Sequence, residues 1–274
     1  MLRVAANGRL DRSFGNHGVR RVATGSGQNS FHAIAVTGGR ILAAGQTTVD
    51  GAAATMVVRL TRTGEPDAGF GDSGRAVIAW TGTEPGSGGA MALDRAGRVV
   101  VALDVTDGSG GQVGIARFRR GGTLDPTFGD QGRVLADLPG ASTSIGGVAI
   151  AGGGRPVLAG AAYTDDFGSS QALLARMTAT GRLDHGFGDG GTVAERFQLE
   201  YSAYLDVDVQ PDGRVLAAGW DFSEAPDTLP LSDVAVARYT RDGRPDPSFG
   251  DGGKVFTDIR AGQAACLPGT DEDH

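Results

Sequence analysis

Asp206 and Asp208 stand two residues apart in the segment LDVDVQ, with Tyr201, Tyr204 and Trp220 close by in the chain. Alternation along a strand puts both carboxylates on one face. Two carboxylates beside aromatic rings suit a sugar or a cation such as calcium. Aligned on a recurring Gly-Arg turn, His32 falls in the same column as Asp206. Asp206, Asp208 and His32 therefore form one candidate centre, that of a hydrolase or lyase working in a polar channel, with calcium as the assisting ion. The plainer reading is a water-filled channel, since polar residues facing water need no partner.

A second acidic set lies in four segments of varied length and sequence: 46–54, 104–112, 161–171 and 220–233. They hold Asp50, Asp104, Asp107, Asp165, Asp166, Asp221, Glu224, Asp227 and Asp233, and neither Lys nor Arg. Variable connections on a rigid scaffold are where binding usually resides. These loops, with Trp220, predict an acidic face for a carbohydrate, a cation or a basic protein partner. A solvated face that keeps the protein soluble is the competing reading. Other chemistry is poorly represented. There is no G-x-S-x-G elbow, no H-E-x-x-H and no phosphate-cradling G-x-x-x-x-G-K. His17, His32, His185 and His274 form no cluster of two histidines with a carboxylate in one repeat, so no resident cofactor or metal site is predicted.

The elements that must position these residues are set by an eleven-residue pattern that occurs five times: GRLDRSFGNHG from Gly8, GEPDAGFGDSG from Gly64, GTLDPTFGDQG from Gly122, GRLDHGFGDGG from Gly181 and GRPDPSFGDGG from Gly243. Copies recurring at this period mean that each repeat buries its apolar surface on its neighbours. Four short apolar runs accompany each full copy, bounded by Gly, Asp and Pro. In the first unit they are FHAIAV, RILAA, MVVRL and RAVIAW. Such runs read as a four-stranded meander. The predicted fold is an all-β propeller of antiparallel four-stranded blades; a β-solenoid is the rival, but its coils are usually shorter.

Within each repeat an arginine precedes the motif aspartate by eight residues: Arg3 and Asp11, Arg59 and Asp67, Arg117 and Asp125, Arg176 and Asp184, Arg238 and Asp246. A charge in a half-buried strand needs a partner, and an arginine–carboxylate pair is the strong option. We read these as repeated structural pairs rather than a ring gripping an anion. The motif phenylalanines, Phe14, Phe70, Phe128, Phe187 and Phe249, read as plugs between blades. The turn aspartates Asp72, Asp130, Asp189 and Asp251 lack calcium-loop spacing and read as turn caps.

The five motifs and the Gly-Arg turns at Gly39, Gly97, Gly154 and Gly213 resemble the delta-60 repeat, a bacterial β-propeller family similar in pattern to NHL propellers. The resemblance covers about residues 1–259. It implies a propeller, often secreted or on the bacterial cell surface, and no defined reaction.

Counting blades does not give a whole number. Residues 1–6 align with a third strand and 18–23 with a fourth, and four full units follow. The expected ring thus has four full blades and an N-terminal half blade; either it stays open or the chain is a piece of a longer array. Open edges invite self-association. One propeller domain over 1–260 and a disordered acidic tail over 261–274 are expected.

Composition narrows the class. The chain of 274 residues is 40% apolar and 6% aromatic, with 47 glycines and a net charge of -7. That charge argues against a nucleic-acid partner. No apolar run is long enough to span a membrane, and MLRVAANGRLD is no signal peptide. Cys266 is the single cysteine, so no intrachain disulfide exists. The overall reading is a non-catalytic interaction module bound through its acidic loops, with the channel hydrolase or lyase as the alternative.

Overall fold

A computed structural model describes residues 1–22, 29–106, 111–164, 168–223 and 231–258. It is all-β, and no helix is long and apolar enough to cross a membrane. Four antiparallel four-stranded blades follow in chain order. Blade 1 is β1 (Ser30–Thr37), β2 (Arg40–Val49), β3 (Ala52–Leu60) and β4 (Arg75–Ala79). Blade 2 is β5 (Glu84–Leu93), β6 (Val99–Thr106), β7 (Gly111–Phe118) and β8 (Arg133–Ala136). Blade 3 is β9 (Ser142–Ala151), β10 (Arg155–Tyr163), β11 (Ser170–Arg176) and β12 (Thr192–Glu195). Blade 4 is β13 (Tyr201–Val209), β14 (Val215–Ser223), β15 (Leu231–Tyr239) and β16 (Lys254–Asp258). The N-terminal half blade is held by isolated bridges, Leu2 to Val19 and Val4 to Leu10.

The first strands of successive blades pack on one another, β1 on β5, β5 on β9 and β9 on β13. Apolar side chains fill the seams between blades. Leu42, Val57 and Phe70 of blade 1 meet Val101, Ala116 and Phe118 of blade 2. Val100, Ile115 and Phe128 of blade 2 meet Val148, Leu158 and Leu173 of blade 3. Ala159, Leu174 and Phe187 meet Val207, Ala237 and Tyr239. Fully burying one such side chain stabilises by roughly 1.5–3 kcal/mol, so most of the cohesion lies between blades. The face a blade turns to its successor is here its forward face, and the other its backward face.

Every first strand has a register break, as at Phe31/Ala33 and Tyr204/Asp206. Opposite it in blades 1, 3 and 4 sits a glycine. A Cβ on Gly45, Gly160 or Gly219 would come within 1.8 Å of a carbonyl oxygen of Ser30, Ser144 or Ala203. In blade 2 the glycine has crossed to the other strand: Leu103 occupies that site, and a Cβ on Gly89 would lie 2.4 Å from Leu103 Cδ2.

Candidate functional site

At the loop end of blade 4 three carboxylates stand abreast across three strands. Asp221 of β14 is the register partner of Asp233 in β15, which is the partner of Asp258 in β16. Directly opposed residues share a sheet face, with Cβ atoms about 4.5–5.5 Å apart. The three have different surroundings. Asp221 is fully buried and accepts from Gln198 N at 2.8 Å, Leu199 N at 3.0 Å and Ser202 Oγ at 3.0 Å. It anchors the segment entering blade 4 and is committed to that task. Asp233 is half-buried and Asp258 exposed. Burial, then the charges of Asp258 and Asp221, push the Asp233 carboxyl above the usual range. A carboxyl of raised proton affinity beside an accessible carboxylate is an arrangement suited to acid–base work. On the opposite face of the same strand end, Trp220 and Tyr201 pack on Phe222, with ring centroids 6.2 Å and 5.9 Å apart.

The residues singled out from sequence are distributed otherwise than expected. His32 is not in the column of Asp206. It is the extra residue of the β1 register break, and Ala33 takes the level that Asp206 takes in β13. The two-residue turn Gly38-Gly39 joins β1 to β2, a shorter turn than the one before Val215, and this displaces the alignment by one. His32 Nε2 lies 2.9 Å from Ser30 Oγ, its neighbour on β1. Asp206 and Asp208 are exposed, and each Oδ1 accepts from the next backbone N–H, Val207 or Val209, at 2.8 Å. Asp206, Asp208 and His32 are therefore separately solvated and make no common centre. Asp107, Asp165, Asp166, Glu224 and Asp227 lie outside the described residues, as does the expected tail over 261–274. Among the described residues no group of three or more His, Cys, Asp or Glu could hold a metal ion.

Asp104, read from sequence as a loop acid, is buried at the end of β6. It accepts from Ile145 N at 2.7 Å and Gly88 N at 2.8 Å, so it ties blade 2 to blade 3. Burial pushes its carboxyl up to about 6. A second buried network went unread in the sequence. The Tyr204 and Tyr239 hydroxyls lie 2.5 Å apart, both donate to Glu195 Oε1, and Lys254 Nζ is 2.6 Å from Glu195 Oε2. It joins the outermost strand of blade 3 to blade 4.

Opposite the loop end lie the arginines. In each repeat the third-strand arginine donates Nε to the motif aspartate at 2.8–2.9 Å. Its guanidinium carbon sits 4.6–5.0 Å from the ring centroid of the motif phenylalanine. In the first four copies Nη1 then donates to a backbone carbonyl of the next blade: Arg62, Arg120, Ala179 and Arg241. A Gly-Arg-turn arginine adds a second cation to four of the aspartates, as Arg98 does to Asp125 at 3.3 Å. One guanidinium thus serves a turn, a ring and a neighbouring blade.

Three stretches, residues 39–70, 97–128 and 210–249, match the family described as a domain of unknown function (DUF5122) beta-propeller. The first two run from a Gly-Arg turn to the motif phenylalanine, and the third begins slightly earlier. Together they make up less than half of the chain. No curated protein matches the sequence. Solved structures similar in fold include an exo-1,5-α-L-arabinanase from a bovine ruminal metagenomic library, at TM-score 0.45 and 15% identity, covering 77% of this chain and 75% of that one. A GH43 endo-arabinanase from Bacillus licheniformis gives 0.41 and 14%, covering 82% and 78%. An α-L-arabinanase of Cellvibrio cellulosa in complex with arabinohexaose gives 0.40 and 11%, covering 83% and 76%. These likenesses are of fold. The expectation of a non-catalytic module is not kept: it took a propeller to imply no reaction, and a propeller scaffold by itself implies neither a reaction nor the lack of one. What the comparisons establish is the architecture: the chain is built of repeats, three of which match a β-propeller family.

Proposed function

We propose that the chain is a hydrolase acting on a carbohydrate or similarly hydroxylated substrate, with Asp233 and Asp258 as its working carboxylates. The observation that carries this reading is the pairing of the two across β15 and β16, with Asp233 raised in proton affinity by burial and by its neighbours. Asp233 in its protonated form gives a proton to the leaving oxygen. Asp258, exposed beside it, supports the positive charge developing at the reacting carbon or takes a proton from water. Asp221 holds the 198–199 segment beside them, and its negative charge adds to the upward shift of the Asp233 carboxyl. The five motif copies support reading the repeats as delta-60 type.

The test is reducing-end release from a panel of neutral and acidic polysaccharides, arabinan among them, by the full chain and by Asp233→Asn. Activity on one member that falls about a thousandfold in the variant, at unchanged melting temperature, supports the reading; the size expected is that of losing a general acid. Hydrolysis that survives Asp233→Asn, or none on any substrate, overturns it.

A further inference from the structure

Two hydrogen bonds recur at every seam between blades. The third-strand arginine reaches a carbonyl three residues past the equivalent arginine of the next repeat. The glycine after the motif phenylalanine donates its N–H to the following carbonyl: Gly15 to Thr63, Gly71 to Gly121, Gly129 to Thr180 and Gly188 to Asp242, at 2.7–2.8 Å. Blade 4 carries the same donors, Arg238 Nη1 and Gly250 N, and among the described residues neither has such a partner. The half blade carries the matching acceptors, the carbonyls of Ala6 and Asn7, and no backbone N–H among the described residues donates to either.

Apolar exposure follows the same division. On the forward face of blade 4, Val234 is 40% and Val255 39% exposed. Val113 and Ala76, their counterparts in blades 2 and 1, are buried at 0% and 8%. Phe249 is half-buried, whereas Phe14, Phe70, Phe128 and Phe187 are buried. On the backward face of the half blade, Leu2 is 63%, Val4 52% and Leu10 48% exposed. The counterparts of Leu2 and Val4 in blade 2 are Ala116 and Phe118, at 0% and 1%. The molecule thus displays both halves of its own seam, one at each end of the repeat array.

We propose that these halves join between two copies of the chain, the forward face of blade 4 of one copy seating on the half blade of the next. The occupant is a second copy because the seam inside the chain already defines what fits: the same donors, the same acceptors and the same apolar columns, continued by one more repeat. Among the described residues no backbone hydrogen bond joins the two faces within one chain. The half blade is clasped to blade 1 by Arg3 to the Arg62 carbonyl, Gly15 to Thr63 and Arg20 to Glu65. Its forward side is occupied there, with Met1 and Val22 packed on Met56 and Val58. The association is head-to-tail and made through blade faces, not through the strand edges that the sequence pointed to.

Light scattering behind size exclusion, at about 50 µM full chain, tests this with Val4→Asp and Val255→Asp. Each substitution buries a carboxylate in one half of the seam. The expected result is a wild-type mass of two or more chains, each variant alone at one chain, and an equimolar mixture of the variants at two. The mixture recovers because Val4→Asp keeps an intact blade 4 and Val255→Asp an intact half blade. Circular dichroism checks folding, and Leu10→Asp replaces Val4→Asp if the latter unfolds. A monomeric wild type, or a mixture that stays monomeric, overturns the proposal. So does a monomeric wild type whose melting temperature falls in Val4→Asp, which would mean that the faces meet within one chain.

Discussion

Arg117 Nε donates to Asp125 Oδ2 at 2.9 Å inside blade 2 while Nη1 reaches the Ala179 carbonyl of blade 3 at 2.7 Å. Both side chains are almost wholly buried. Removing one charge of such a pair leaves the other uncompensated, at a cost of about 3–5 kcal/mol. Arg98 remains near Asp125 and keeps the loss at the lower end. Arg117→Ala is therefore expected to lower the unfolding free energy by about 3 kcal/mol. Arg117→Ala with Asp125→Ala should cost less than the sum of the singles by more than about 1 kcal/mol. Urea melts of the cycle measure this, and strict additivity would refute the pairing.

The motif phenylalanine should matter according to whether a blade follows it. Phe128 is buried, and Gly181 of the next repeat lies against it. Among the described residues no blade follows Phe249, and it is half-buried. Phe128→Ala is expected to cost about 3–5 kcal/mol, as large core truncations do. Phe249→Ala should cost about a third of that in dilute solution and rise with protein concentration as copies associate. Equal costs at high dilution would contradict the reading of the open seam.

Much of this architecture was legible before any coordinates. The fivefold motif marked the turns, the runs between copies marked the strands, and the eight-residue spacing linked each arginine to its aspartate. What escaped the sequence depends on single-residue offsets and on distant pairing. The β1 register break moves His32 out of the column of Asp206, and nothing in FHAIAV announces it. Asp104 and Asp221 looked like loop acids, but one position along a strand separates a solvated side chain from a buried one. Asp258 ends a fourth strand and meets Asp233 only after the whole motif has folded back between them. Its signal was faint: an acid in a final strand whose partner strand carries one near its start. Tyr204, Tyr239 and Glu195 come from three elements in two blades, too far apart in the chain for any local pattern.

Two sets of carboxylates give the stability opposite pH dependences. Burial works against the charge at Asp67, Asp125 and Asp184, but hydrogen bonds and arginines outweigh it and hold these carboxyls low. A lowered folded value means stability that is present above the unfolded value, about 3.9, and lost as pH falls below it. Asp104 has the reverse sign. Its folded value of about 6 makes its contribution complete in acid and lost as pH rises from about 4 to 6. Asp104→Asn removes that titration. The wild-type melting temperature should fall relative to the variant between about pH 4 and 6 and run parallel above. A constant difference across that window would mean that Asp104 is not raised.

Asp233 offers a check on the proposed centre that does not depend on finding the substrate. Burial comes first among the causes of its raised value, and the charges of Asp258 and Asp221 follow. Neutralising a like charge lowers a carboxyl's proton affinity. Asp258→Asn and Asp221→Asn should therefore each move the Asp233 midpoint down, measured by carbon-13 NMR of the labelled carboxyl. Asp258→Asn should have the cleaner effect, because Asp221 also accepts three hydrogen bonds and its replacement disturbs residues 198–202. The sign carries over to catalysis. A general acid works only while protonated, so activity should fall as pH rises through the Asp233 midpoint, and any variant that lowers the midpoint should move that limb toward acid. An Asp233 midpoint that stays put in both variants would show that the three carboxylates, though abreast in the sheet, do not share a field, and the acid–base assignment would fall with it.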